Sequence, residues 1–233
     1  MEKIIIGIDC GINGAIAVVE GDSLSVTSMP IKKQKVGKKN KSVLDLDALL
    51  SLLKKYTTFD VIYCVEKQGV RPGEGAVSAM TIGKNYGILL GMGLGLGFKL
   101  LIAAPQQWKS SFPQLTSTPE INSLKDKLKS LRIAKKKSKG AADKKSNRKE
   151  AEIINRTIKT IAKSAARTLA AKLYPELGSL FERKKDDGRA EATLIAKWAK
   201  ENHELVQTST IASRNLRGSK SSKSEDEILP STS

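Results

Sequence analysis

Histidine is nearly missing from these 233 residues: there is one, His203, near the end of a predicted helix. A lone imidazole makes a poor zinc site. Cysteine is almost as scarce. Cys10 and Cys64 each fall within a predicted strand, and neither has metal-ligand spacing. Two buried thiols without a disulfide framework suit a reducing, intracellular compartment. Aromatic residues make up only 4% of the chain, too few for the stacking platforms that grip single-stranded nucleic acid. A strand starts almost at the N-terminus, so no signal or transit peptide is expected there. The one long apolar run, Gly87 to Ala104, is broken by alternating glycines and by Lys99, and Pro105 follows directly. It suits a buried helix, a turn and a strand better than a membrane span.

Acids are outnumbered. Forty-one Lys or Arg face twenty-four Asp or Glu, for a formal charge of +17. An excess of that size points to a polyanionic partner, although a solubilising charge would look the same in composition. A chain of this length suits one domain with its own core. Residues 1–203 are expected to form that domain, including a basic insertion at about 113–163. Residues 204–233 turn polar and Ser-rich, as a disordered tail does.

Residues 4–9 (IIIGID) read as a buried strand ending on an acid. Turn chemistry at 10–14 and again at 21–22 sets off strands at 15–20 and 23–29. A lysine-dense loop follows, after which Ser42 is placed to cap a helix whose apolar stripe is Leu46, Leu49, Leu50 and Leu53. Residues 61–66 (VIYCVE) are almost continuously apolar, as a central parallel strand is, and again end on an acid. A glycine-spotted helix is predicted over 78–96 and a last strand over 99–104. The order β-β-β-α-β-α-β gives a mixed α/β sheet with helices on its faces. Between Lys125 and Lys149 lie twelve Lys or Arg and two Asp, expected as helical pieces with a mobile basic stretch. A final amphipathic helix covers 187–202.

Asp9 and Glu66 close two strands predicted to be neighbours, the end of an open α/β sheet at which sites assemble. On the last helix Asp187 and Glu191 share a stripe with Leu194, Ile195 and Trp198, the face that docks on the sheet. Buried unpaired carboxylates cost several kcal/mol or rise in pKa, and a cation reverses that penalty. Oxygen donors without histidine or cysteine suit Mg²⁺, with Mn²⁺ able to substitute. Two such ions about 3.5–4 Å apart support in-line phosphodiester hydrolysis. Each acid alone reads equally as a turn or cap residue, Asp187 as an N-cap before Gly188. It is the coincidence of three acidic places in one fold that favours chemistry.

The motifs resemble one family. Residues 4–19 (IIIGIDCGINGAIAVV) resemble the first hairpin of RuvC-like Holliday junction resolvases, which have the RNase H-like fold. RPGEG (71–75) after Glu66, GKNYGILLGMG (83–93), PQQWKSSF (105–112) and KKDDGRAEATLIA (184–196) resemble the phage and chloroplast branch. The likeness covers roughly 1–112 and 164–202. It implies a five-stranded RNase H-like sheet and a Mg²⁺-dependent homodimer that nicks two opposed strands of a four-way DNA junction during recombination or repair. Asp9, Glu66, Asp187 and Glu191 would be its catalytic metal ligands. Bacterial members carry the helix acids three apart, against four here, which leaves Asp186 as an alternative to Asp187. Such an enzyme would act inside a cell, near the nucleoid or, if viral, in a host.

Lys38, Lys39, Arg71, Lys184 and Lys185 are candidate phosphate contacts, beside the lysines of 32–41 and of the insertion, and no membrane contact is expected. The small-residue helix 78–96 is the candidate dimer contact. Three other readings stand beside this one. One is an RNase H-like nuclease for other branched DNA or RNA–DNA hybrids, and another a junction-binding protein that does not cut. The third, an actin-like sugar kinase, is prompted by Gly7-Ile8-Asp9-Cys10-Gly11 but needs a second domain and phosphate loop.

Overall fold

The computed structural model describes residues 3–37, 39–70, 73–137 and 140–217. Strands β1 (Lys3–Asp9), β2 (Ala15–Glu20) and β3 (Ser23–Ser28) open the chain. Later come β6 (Asp60–Glu66) and β7 (Lys99–Ala103). Together they form one sheet in the order β3-β2-β1-β6-β7. β2 runs antiparallel to both its neighbours, while β1, β6 and β7 are parallel. This is the mixed five-stranded sheet expected of an RNase H-like fold.

Strand alternation divides the core. Ile4, Ile6, Ile8, Ile16, Val18, Tyr63 and Val65 pack with Leu49 and Leu53 of α1 (Leu46–Lys54) and Leu89 of α2 (Ala76–Gly95). The opposite face, with Ile5, Gly7, Ala17, Ile62 and Cys64, is also buried. There α7 (Asp187–Arg217) lies so close that a Cβ on Gly7 would fall inside the backbone of Ala192 and Ala196. A second close contact sits one end further on, where Gly188 meets the backbone of Asn13 and Gly14. These two glycines fix α7 along β1.

Two expectations are corrected. The lysine-dense loop is a hairpin, β4 (Ile31–Val36) with β5 (Lys39–Leu44), whose polar, lysine-rich strands suit an exposed ribbon. Ser42 therefore lies in a strand, where its hydroxyl meets Lys33, and Asp45 is the residue that caps α1.

The insertion is helical. After the short helices α3 (Pro105–Ser110) and α4 (Pro113–Thr116), α5 (Pro119–Lys137) and α6 (Ala141–Leu173) pack on each other, with Ile121, Leu128, Ile154, Ala166 and Ala170 buried on them. Two 3-10 turns, Pro175–Phe181 and Lys184–Asp186, lead into α7. The described residues up to 201 form one compact unit. Residues 218–233 of the expected tail lie outside the described residues. Among the described residues no helix is long and apolar enough to cross a membrane.

Candidate active site

The parallel register of β1 and β6 matches Ile8 with Val65, so Asp9 and Glu66 each follow at the next position. The turn after Asp9 is built to leave its carboxylate inward. Gly11 N–H donates to Asp9 Oδ1 at 3.2 Å, and Gly14 N–H closes on the Gly11 carbonyl at 2.8 Å. A Cβ on Gly14 would strike the Asp9 carbonyl, so only glycine closes this turn.

Glu66 is 9% exposed and both of its oxygens have donors. Trp108 Nε1–H reaches Oε1 at 3.0 Å, and Gln68 Nε2–H reaches Oε2 at 3.2 Å. Trp108 comes from α3, directly beyond the end of β7. The next residue, Lys109, places its Nζ 3.0 Å from Glu191 Oε1 and 4.8 Å from the Trp108 ring centre. Glu191, held one turn into α7 by the two glycine contacts, thus faces the ends of β1 and β6.

Three carboxylates share one field. Burial pushes the pKa of Asp9 up to about 7, with Glu191 and then Glu66 adding repulsion, against the Gly11 N–H and Lys109. Glu66 is raised too, first by burial and then by Glu191, while Lys109 and the two hydrogen-bond donors hold it back. The thiols of Cys10 and Cys64 are driven upward by burial and stay protonated. The Cys10 thiol donates to the Glu66 carbonyl at 3.4 Å, a packing role.

The fourth expected acid is held by cations of α6. Asp187, one helical turn before Glu191, is paired with Arg167 and, at 3.2 Å, with Lys163, both from α6. Asp186 is 3% exposed and accepts from the backbone N–H and guanidinium of Arg183 at 3.0–3.1 Å. The Arg183 hydrogen bonds hold its pKa below the usual carboxylate range. Asp186 thus caps the turn that starts α7, with both of its oxygens paired to arginine.

A cation would be met here by oxygen donors alone, which suits a hard ion. Among the described residues no three acid, histidine or cysteine side chains close to ligand spacing as they stand. Lys109 is the charge drawn in instead. The fit is one of chemistry: a carboxylate raised by burial, with two other acids beside it, is the kind of group whose ionised form a divalent ion favours.

Of the candidate phosphate contacts, Lys184 and Lys185 are exposed on the turn before α7. Lys39 belongs to β5, while Lys38 and Arg71 lie outside the described residues. Sequence reasoning gave no role to Gln68, Trp108, Lys109, Lys163 or Arg167. Trp108 and Lys109 had a usable signal, since Pro105 opens a helix at the end of a strand.

No family model and no curated protein matches the chain. Among solved structures, RuvC of T. thermophilus in complex with a Holliday junction substrate is similar at 14% identity, covering 87% of this chain and 96% of that one, with a TM-score of 0.38. A second Thermus thermophilus RuvC structure is similar at 14% identity over 85% of this chain and 95% of that one, with a TM-score of 0.39.

Proposed function

We propose that this chain is a divalent-metal-dependent endonuclease for branched DNA, making paired symmetrical nicks in four-way junctions as a homodimer. The observation that carries the reading is the shared field of Asp9, Glu66 and Glu191 at the carboxyl ends of two parallel strands, with Asp9 raised to about 7. Asp9, central to that field, would be the shared ligand. Glu66, oriented by Trp108 and Gln68, would bind on one side, and Glu191 on the other. Bound Mg²⁺ or Mn²⁺ would supply a nucleophilic water and stabilise the leaving 3′ oxygen. Lys109 would leave Glu191 for a phosphate oxygen, so that a positive charge stays beside the reacting group. Asp187 reaches an ion only by giving up Lys163 and Arg167.

The charge of +17 supports a polyanionic substrate, and scarce aromatics favour backbone over base recognition. On α2, Gly83, Gly87, Gly91 and Gly95 have open space where a Cβ would stand, and Met80 and Leu94 are exposed beside them. A second copy approaching along these glycines would bring two acid sites to one junction.

The test is cleavage of a synthetic four-way junction, a flap, a linear duplex and an RNA–DNA hybrid, each with Mg²⁺ and with EDTA. Paired nicks in the junction alone, lost in EDTA and in Asp9→Asn, are expected. Preferential cutting of the hybrid, or unchanged cutting by Asp9→Asn, would refute the reading.

A further inference from the structure

Helices α5 and α6 hold sixteen Lys or Arg against five acids, an excess of eleven out of the chain's seventeen. On α6 these charges are not spread evenly. At about 100° per residue, Lys145, Lys149, Arg156, Lys163 and Arg167 fall within about 40° of one another around the helix axis. Asp143 and Glu150 lie more than a quarter turn away at that spacing. Glu152, at the edge of the row, is bonded to Arg148 at 3.0 Å.

The row has a fixed direction. Its last two members, Lys163 and Arg167, grip Asp187, so this face of α6 is turned to the start of α7. Glu191 lies one helical turn further along that helix. Lys145, Lys149 and Arg156 are exposed, and Lys163 is half-exposed. From Lys145 to Arg167 the helix rises about 33 Å, close to one turn of B-form DNA. Between the cations this face carries Ile153 and Thr160 and no aromatic side chain, so it is equipped for phosphates rather than for bases.

We propose that this face of α6 is a backbone rail for one duplex arm of the DNA, aligned on the acid site through Lys163 and Arg167. Phosphate oxygens replace the Asp187 carboxylate on those two side chains when the arm is seated. The inference deepens the function proposed above and rests on its nucleic-acid partner, but not on cleavage.

The test uses the full chain in an Asp9→Asn background, with anisotropy of a labelled four-way junction and of a linear duplex between 50 and 200 mM salt. A triple variant, Lys145→Gln, Lys149→Gln and Arg156→Gln, keeps good helix formers. Its logarithmic salt slope is expected to fall by about 2–3. Over that fourfold range the parent then loses about 40-fold more affinity than the variant. A charge-matched control, Lys54→Gln, Lys55→Gln and Lys172→Gln, should keep the parental slope. An unchanged slope in the rail variant, or an equal fall in the control, would overturn the proposal. So would a variant that loses binding to phosphatidylserine vesicles while keeping its DNA slope. Intact acids that cut nothing, beside an altered slope, would refute the nuclease reading and leave the rail standing.

Discussion

Replacing Asp9 by Asn should stabilise the metal-free protein at pH 8 and do much less at pH 5. The Asp9 pKa rises from 3.8 in the unfolded chain to about 7 in the folded one, mainly through burial. Between those values the native state binds the extra proton, so stability present below pH 4 is lost as pH rises through 7. The full shift corresponds to about 4 kcal/mol, of which about 2–3 kcal/mol falls between pH 5 and pH 8. Asparagine removes the charge and keeps an oxygen for the Gly11 N–H. Urea unfolding of both proteins in EDTA at the two pH values measures the difference. The stability gap should move toward Asp9→Asn by that 2–3 kcal/mol on going from pH 5 to pH 8. A gap that stays constant with pH would mean that Asp9 is an ordinary exposed acid, and the argument for a charged site would fail. Adding Mg²⁺ at pH 8 should then stabilise the parent and leave Asp9→Asn unmoved.

Gly7→Ala drives a methyl group into the backbone of α7, so melting should fall by several degrees and cleavage should be lost with it, as calorimetry beside a junction assay would read. Lys109→Gln removes the cation beside Glu191, and should lower kcat by at least tenfold with little change in junction affinity; an effect on affinity alone would contradict its placement. Gly87→Leu fills the open face of α2 and should turn a dimer into a monomer in sedimentation velocity without loss of fold.

Much of this was legible in the chain. Period-2 and continuous apolar runs located all five strands of the main sheet, because a parallel strand covered on both faces has few other readings. That Asp9, Glu66 and Glu191 lie near one another was legible too, the first two as acids closing neighbouring strands and the third by helical spacing. At Asp187 that spacing left the partner side chains unseen. A shared stripe says which way a side chain leaves its helix, but not that Arg167, twenty residues earlier on α6, waits there. The hairpin at 31–44 was missed because most of its described residues are exposed and only Leu44 at its end enters the core, so hydrophobic alternation, the signal being read, was absent. Ser42 and Asp45 are both good caps, and only the pairing of β4 with β5 chooses between them.

Calorimetric titration of Mn²⁺ into the metal-free full chain tests the account at its root. The parent should bind at pH 8 and weaken toward pH 6 as Asp9 holds its proton, and Asp9→Asn, Glu66→Gln and Glu191→Gln should each abolish or cut binding at least tenfold. Asp186→Asn should bind like the parent. Equal binding by all five proteins, or none by the parent, would contradict a metal site at the ends of β1 and β6.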